Sequence, residues 1–308
     1  MKIKRTFQRK NFIIVVLIVL SVYLIINEIL KYENELKTHR KLRKIVKRKD
    51  FIDKISKDLY SVKYSLSYLN QNYDHLPTIY VVTKCNLETL TELADLNRLK
   101  NTLRLVPKLV WILVEKSETK SIKLKNFLQD SGIRTIHLND NSSNDLNLLN
   151  KALFWLRSIY DEIDRNGVVY FANTSSSLDL KIFEEIRWTK TVSVWPVAFS
   201  RDYIYQKPNC SDGMVMSWSC GELCQENDLI DLLGFCINIK LLAERKNVQF
   251  RSFRYLDFVK NLVELNEIEP KADMCTKVYV WSTKTNPAIL RYNLSSKKSY
   301  DLNIIEQI

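Results

Sequence analysis

Apolar residues follow three different patterns along this chain. Residues 12–30 form an almost uninterrupted apolar run, and residues 31–76 carry sparse apolar positions among many charges. From Pro77 onwards, short apolar runs alternate with helical patterns. A helix over the first run is about 30 Å long, enough to cross a bilayer. The pattern therefore predicts a membrane-spanning helix, a solvated helical stem and a folded domain, in that order.

The folded domain shows strands and helices in alternation. Apolar or β-branched runs of strand length occupy residues 78–83, 108–115, 134–138 and 167–171. The clearest helical pattern between them has the spacing i, i+3, i+4, i+7, at Leu149, Ala152, Leu153 and Leu156. Alternation of this kind predicts an α/β domain with a mainly parallel central sheet.

Such a sheet also predicts where a ligand binds. In open α/β sheets the ligand lies at the carboxyl ends of the strands, so we expect the site directly after Thr83, Glu115 and Phe171.

The charges favour a membrane orientation rather than a nucleic-acid partner. The net charge is +12, and five basic residues precede the apolar run, which predicts a cytoplasmic N-terminus and a luminal domain. A cleaved signal peptide is the alternative, but the run is longer than a usual signal core and no small-residue cleavage site follows it. No recognised nucleic-acid motif accompanies the basic residues, so we expect no nucleic acid among the partners.

The cysteines and glycosylation sequons fit a luminal domain. All six cysteines follow the apolar run. Cys220 and Cys224 have the spacing of half a zinc site, but no second Cys/His pair completes it, so disulfides or buried thiols are expected instead. Sequons occur at four asparagines; we expect glycosylation at Asn141, Asn209 and Asn293, whereas Asn173 is expected to be too recessed.

Eight sequence blocks resemble the β-1,3-glucuronyltransferase family in order and spacing. They are Pro77–Thr83, Leu103–Glu115, Asn150–Arg157, Gly167–Ala172, Phe183–Thr189, Val192–Val197, Leu233–Phe235 and Cys275–Trp281. The resemblance implies a Golgi type II protein with a nucleotide-sugar-binding glycosyltransferase fold. It also implies transfer of glucuronic acid from UDP-glucuronate to a terminal galactose, with inversion and with Mn²⁺.

The resemblance and the patterns together predict five segments. They are a cytoplasmic tail at 1–11, a transmembrane signal anchor at 12–30, a stem at 31–76, a luminal glycosyltransferase-like domain at 77–285 and a C-terminal tail at 286–308.

The residues that would hold the metal and donor depart from the family pattern. The family binds its metal with an acidic triplet directly after the Val-Tyr-Phe-Ala strand, where this chain has Asn173, Thr174 and Ser175. Mn²⁺ prefers carboxylate oxygens, so these three neutral side chains lack the charge of a tight site. Lysines stand at three other donor-side positions, and we expect them to face the diphosphate: Lys84, Lys116 and Lys284.

The acceptor side is closer to the family pattern. Asp231 matches an acidic position that contacts the acceptor, and Asp257 stands near the position of the family's catalytic glutamate. Asp257 is interpreted either as a general base, one methylene shorter than the family's, or as an ordinary surface carboxylate.

Three functions follow from this combination. The first is a glucuronosyltransferase acting on a galactose-terminated proteoglycan linker or glycoprotein glycan, with its donor and metal residues replaced. The second is a catalytically inactive luminal protein that binds glycans or regulates a partner. The third is a basic surface protein that binds acidic polysaccharide chains through its Lys/Arg-rich stem. The expected partners are a UDP-sugar, the glycan acceptor, the membrane and a second family member, which is either another copy of this chain or an active paralogue.

Overall fold

The computed structural model describes residues 59–60, 73, 75–87, 91–199, 205–220, 229–283 and 285. The predicted tail, anchor, most of the stem and the C-terminal tail lie outside these residues. Within the described part, no helix has the length and apolar character needed to cross a bilayer.

The strands alternate with helices as the sequence predicts. The strands are β1 Leu59–Tyr60, β2 Ile79–Cys85, β3 Leu109–Lys116, β4 Arg134–Asp140, β5 Val168–Phe171, β6 Ser176–Leu178, β7 Val192–Val194, β8 Val197–Phe199, β9 Tyr205–Ser211, β10 Met214–Cys220, β11 Phe235–Asn238, β12 Ile268–Pro270 and β13 Val280–Ser282. The helices are α1 Glu92–Leu103, α2 Ile122–Gln129, α3 Asp145–Ser158, α4 Leu180–Ile186, α5 Ile239–Glu244 and α6 Tyr255–Lys260.

The larger sheet has the strand order β1-β4-β3-β2-β5-β11-β7-β12. Strands β4, β3, β2 and β5 run parallel, which confirms the predicted α/β domain with a mainly parallel sheet. Strand β11 inserts antiparallel between β5 and β7. A second, mostly antiparallel sheet has the order β10-β9-β8-β13-β6.

Apolar side chains cover both faces of the larger sheet. Along β2, Ile79 and Val81 enter one buried cluster while Tyr80 and Val82 enter the other. Because both faces are buried, the strand carries no alternation of polar and apolar residues. At the start of β5, Gly167 allows a close approach to β2: an added Cβ would lie 2.7 Å from the Tyr80 ring and 2.8 Å from the Thr78 carbonyl oxygen.

Side-chain caps fix where several helices begin. Ser121 accepts a hydrogen bond from the Leu124 amide at the start of α2, and Asn144 accepts one from the Leu146 amide at the start of α3. Asp179 caps α4 in the same way, by accepting a hydrogen bond from the Lys181 amide. These caps hold the loops that follow the strand ends.

The disulfides and thiols follow the prediction from the sequence. Cys210 and Cys275 form a disulfide that ties β9 to the turn before β13, and Cys220 is also disulfide-bonded. Cys85 and Cys236 are buried free thiols. Because Cys220 is in a disulfide, it does not contribute to a zinc site.

Candidate functional site

A cleft of about 330 Å³ lies at the carboxyl ends of the parallel strands. Lys84 at the end of β2, Lys116 at the end of β3 and Asn173 just after β5 all line it. The positions after Thr83, Glu115 and Phe171 therefore lie together, and binding of a ligand there stays a prediction. The other lining residues are Cys85, Asn86, Glu92, Asp145, Leu148, Thr174 and Ser175. This set of residues is called the donor cleft below.

The loop that replaces the acidic triplet forms one wall of the donor cleft. The Ala172 amide donates to the Val82 carbonyl at 2.9 Å, and the Ser176 amide donates to the Asn173 carbonyl at 3.0 Å, so the backbone is held in place. Asn173, Thr174 and Ser175 offer neutral oxygens. In the part of the chain that the structure describes, no cluster of three or more His, Cys, Asp or Glu side chains is suited to a metal ion. The residues present therefore do not fit a tight Mn²⁺ site.

The charges of the donor cleft are balanced within the protein. The Lys84 ammonium forms a salt bridge with Asp145 at the start of α3. The Glu92 carboxylate accepts a hydrogen bond from the Asn86 amide at 3.3 Å, and burial raises the pKa of this carboxyl. Lys116 makes no ion pair with any other described residue. Lys116 is thus the cation best placed to meet an incoming anion.

A buried hydrogen bond between Glu115 and His137 lies at the end of β3, next to Lys116. The Glu115 carboxylate lies 2.8 Å from His137 Nε2 and accepts the Ser121 amide at 3.0 Å. Burial acts to raise the pKa of the Glu115 carboxyl, but the hydrogen bonds from His137 and Ser121 outweigh it, and the pKa falls below its usual range. These contacts therefore hold the backbone of β3 in place at the residue directly before Lys116.

The C-terminal part of the domain runs beside the motif loop. Thr283 donates a hydrogen bond to the Ser175 carbonyl, and Arg98 on α1 donates to the same carbonyl at 3.2 Å. Arg98 also donates to Thr283 Oγ1 at 3.3 Å. Lys284, predicted as a donor contact, lies outside the described residues. Arg98 was not predicted from the sequence, because nothing in its local pattern relates α1 to a loop that is far away in the chain.

Asp231 lies in a second pocket, away from the donor cleft. It caps the short 3₁₀ turn Leu232–Gly234 by accepting the Leu233 amide at 2.8 Å, and burial raises the pKa of its carboxyl to about 6. Trp195, Gln206 and Trp218 line the same pocket. Their buried Nε1, Oε1 and Nε1 atoms have no hydrogen-bond partner among the described residues. These four residues are called the Asp231 pocket.

Asp257 stands apart from both groups. It lies on α6 with an exposed side chain, 3.8 Å from Arg254 Nε, and it does not line the donor cleft. Tyr255, on the same helix, is affected by residues of both groups. Burial, and then the charges of Asp231 and Asp145, raise the pKa of the Tyr255 hydroxyl. Helix α6 therefore lies within electrostatic range of the donor cleft and of the Asp231 pocket.

The predicted glycosylation sites have different surroundings. Asn141 is exposed in the loop after β4. The Asn209 amide donates to Ser217 Oγ at 3.0 Å, and its oxygen accepts from Ser219 Oγ, so both ends of the side chain are engaged within the β9–β10 hairpin. Asn173 is partly buried in the donor cleft, and Asn293 lies outside the described residues.

Comparison of the sequence with known protein families identifies the family of this chain. Residues 99–286 match glycosyltransferase family 43. The chain belongs to this family. Among curated relatives, galactosylgalactosylxylosylprotein 3-beta-glucuronosyltransferase 1 of Homo sapiens is 34% identical over 240 residues, which cover 70% of this chain and 72% of that protein. Galactosylgalactosylxylosylprotein 3-beta-glucuronosyltransferase 2 of Homo sapiens is 31% identical over 247 residues, covering 75% of each.

Among solved structures, the similarity to this family 43 chain is weaker. Mannosyltransferase PcManGT from Pyrobaculum calidifontis, in complex with GDP-Man and Mn²⁺, aligns with a TM-score of 0.44 at 12% identity. The alignment covers 74% of this chain and 60% of that one. A score this low supports no inference about ligands.

Proposed function

We propose that this family 43 protein is a glucuronosyltransferase that binds UDP-glucuronate in the donor cleft and transfers glucuronic acid to a galactose-terminated glycan. The observation that carries the proposal is the position of Lys116 and Lys84 at the carboxyl ends of neighbouring strands, beside a neutral motif loop. Two fixed cations at that edge provide the counter-charge that a departing diphosphate needs. The activity named for the curated relatives supports the choice of donor and acceptor.

The chemistry assigned to the residues is an inverting displacement. The acceptor hydroxyl oxygen attacks the anomeric carbon as the bond from that carbon to the diphosphate oxygen breaks. Asp257 is the base predicted to take the proton from the hydroxyl, and because it lies outside the cleft, this step requires α6 to bring it to the acceptor. UDP leaves with its extra negative charge facing Lys116 and Lys84. Because the triplet Asn173–Ser175 does not fit Mn²⁺, no step is assigned to a metal.

Calorimetry of the full-length chain in mild detergent tests the donor half of this proposal. UDP is expected to bind equally with Mn²⁺ and with a chelator. Lys116→Gln should weaken binding by about tenfold, since a hydrogen bond to a charged group contributes on the order of 1.5 kcal/mol or more. Lys151→Gln, an exposed lysine on α3 outside the cleft, is the matched control. UDP binding that requires Mn²⁺ or ignores Lys116→Gln contradicts the proposal.

A second function is favoured by one observation. Lys84 is already paired with Asp145, and Asp257 does not line the cleft, so the described residues of the donor cleft form no assembled catalytic set. A non-catalytic protein that binds glycans or regulates an active paralogue fits that arrangement. Acceptor-dependent release of UDP from UDP-glucuronate distinguishes the two: release supports the transferase, and its absence alongside retained glycan binding supports the second function.

We also propose that the chain is a single-pass type II protein of the Golgi membrane with a luminal domain, present as a dimer or paired with a paralogue. The Cys210–Cys275 disulfide supports an oxidising compartment. A glycosidase-sensitive mass shift that becomes smaller in Asn141→Gln is the expected result, because Asn141 is exposed. A full-length chain without any such shift contradicts the luminal placement.

A further inference from the structure

The amino ends of the same parallel strands carry a second cavity of about 330 Å³, as large as the donor cleft. Thr78 before β2, Leu109 at the start of β3 and Arg134 at the start of β4 contribute to it. The cavity thus lies at the edge of the sheet opposite the donor cleft. Nothing in the proposed transfer reaction uses this edge.

The charged residues that line this cavity are all basic: Arg104, Lys108 and Arg134. Arg104 and Arg134 form no ion pair with any described residue, and the Arg104 Nε atom is buried without a hydrogen-bond partner there. A buried donor left without a partner is costly, so it indicates a place where an acceptor is missing. These three residues with Thr78 are called the basic cavity.

The nearby carboxylate does not neutralise the basic cavity. Asp164 lies 3.8 Å from Lys108 Nζ, but its oxygens already accept hydrogen bonds. One oxygen accepts from the Thr78 amide at 2.8 Å and the Thr78 hydroxyl at 3.0 Å, and the other accepts from the Asn166 amide at 3.0 Å. Its capacity is largely taken up within the protein, so the two arginines retain their charge for an outside group.

An apolar shelf continues from the basic cavity. Val106 and Pro107 line both, and the shelf adds Leu105 and Trp188, of which 48% and 57% are exposed. Glu184 is the one carboxylate in the shelf lining within the described part. Arg187 braces the shelf by donating to the Pro77 carbonyl at 2.6 Å and the Pro107 carbonyl at 2.7 Å. Because the surrounding backbone is held in place, the exposed indole of Trp188 can stack against a ring that has an apolar face.

From these features we propose that the basic cavity and the Trp188 shelf together bind an acidic oligosaccharide. Sulfate or carboxylate groups of the sugar chain accept hydrogen bonds from Arg104 and Arg134, since guanidinium groups match planar and tetrahedral oxyanions. A neighbouring sugar ring packs its C–H face on Trp188. A free inorganic anion can bind the two arginines but cannot pack on Trp188. An acidic sugar chain can make both contacts.

Binding to the full-length chain tests the proposal with four probes: a heparin-derived hexasaccharide, a hyaluronan hexasaccharide, neutral maltohexaose and inorganic sulfate. At least one acidic hexasaccharide is expected to bind more tightly than sulfate, and maltohexaose is expected not to bind. Heparin tighter than hyaluronan identifies sulfate esters as the recognised group, and equal affinity identifies carboxylates. Tighter binding of sulfate than of either hexasaccharide overturns the proposal.

Two variants assign the binding to this surface. Arg104→Gln with Arg134→Gln should weaken hexasaccharide binding by about tenfold or more. Trp188→Ala should weaken the hexasaccharide several-fold and leave sulfate unchanged. The control removes two exposed charges elsewhere, with Arg165→Gln and Lys240→Gln. An equal loss in the control identifies non-specific attraction to a chain of net charge +12 and overturns the proposal.

Two further measurements keep the result decisive. Thermal unfolding shows whether the double variant folds; if it does not, Arg134→Gln alone, at an exposed position, replaces it. Vesicles of phosphatidylserine test a membrane surface as the ligand instead. Vesicle binding that needs Arg104 and Arg134, without hexasaccharide binding, overturns the proposal in favour of lipid. The outcome is independent of the UDP experiment, because the two sites lie at opposite edges of the sheet.

Discussion

The donor cleft and the Asp231 pocket differ in whether their polar side chains have hydrogen-bond or ion-pair partners. In the donor cleft, Lys84 is paired with Asp145, and Glu92 accepts a backbone hydrogen bond. In the Asp231 pocket, the indole nitrogens of Trp195 and Trp218 are buried without a partner among the described residues. Apart from Lys116, the charged groups of the cleft are compensated within the protein, whereas the pocket leaves polar atoms without a partner among the described residues. The polar groups of the pocket therefore bear more of their desolvation cost than those of the cleft.

The same contrast holds for the carboxylates. Burial raises the pKa of Asp231 to about 6, and the hydrogen bond from the Leu233 amide offsets only part of the loss of hydration. Asp145 in the cleft has Lys84 beside it. The two carboxylates therefore differ in their surroundings: Asp145 has a cationic partner, whereas Asp231 is held by a backbone amide alone among the described residues.

The largest expected effect concerns the Cys210–Cys275 disulfide, which anchors β9, one of the strands that line the Asp231 pocket. The disulfide joins residues 65 positions apart, and its loss through Cys210→Ser with Cys275→Ser should cost about 4 kcal/mol in the free energy of unfolding. The turn Ala272–Cys275 has positive φ at all four residues, so it relaxes readily once released. Urea unfolding measures the loss. UDP affinity should persist below the unfolding temperature, because the cleft lies on the larger sheet; an equal loss of UDP affinity contradicts the separation of the two regions.

The second effect uses pH to separate the regions. Because the folded pKa of Asp231 is raised, the folded state holds a proton that the unfolded state has lost between about pH 4 and pH 6. The contribution of Asp231 to stability is therefore most favourable at low pH and declines as pH rises through that window, by about 3 kcal/mol in total.

Asp231→Asn should remove that dependence. The asparagine oxygen still caps the Leu233 amide and its side chain stays neutral, so the variant should match the wild type near pH 4. As pH rises through the window the wild type should become less stable than the variant, by about 3 kcal/mol in total, after which the difference should level off. Denaturant titrations at each pH provide the measurement. Asp179→Asn, which changes the matching cap of α4 in the same way, is the control. A pH-independent difference for Asp231→Asn contradicts the raised pKa.

The smallest effect concerns the compensation inside the donor cleft. Asp145→Asn should free Lys84 and increase UDP affinity by about fivefold, since the pair is partly exposed and such pairs contribute on the order of 1 kcal/mol or less. Calorimetry with UDP gives the affinity. Asp161→Asn breaks a comparable surface pair with Arg165 and should leave UDP affinity unchanged. Weaker UDP binding in Asp145→Asn contradicts the view that Asp145 holds Lys84 back.

The sequence predicted the positions that depend on strand ends. Lys84, Lys116 and Asn173 follow buried apolar runs, and the carboxyl ends of parallel strands necessarily meet at one edge. The helix containing Leu149, Ala152, Leu153 and Leu156 was predicted because its buried face repeats at the helical period. These signals are local.

The sequence could not predict the contacts that cross between elements. Glu92 and Asp145 enter the donor cleft from helix starts, and Arg98 reaches the motif loop from α1, so their roles depend on packing rather than on any local pattern. The antiparallel insertion of β11 was also missed, because strand direction leaves no trace in four apolar residues. Six cysteines allow many pairings, and only the fold brings Cys210 to Cys275.

Two buried thiols give this protein a pair of internal reporters. Cys85 lines the donor cleft, and Cys236 is fully buried on β11 at the centre of the sheet; burial raises the pKa of both thiols and keeps them protonated and unreactive. Alkylation of Cys85 thus proceeds only as fast as the cleft edge opens, and alkylation of Cys236 requires the sheet itself to separate. The ratio of the two labelling rates compares local opening of the cleft with global opening of the sheet. A nucleotide bound in the cleft slows the labelling of Cys85 and leaves that of Cys236 unchanged.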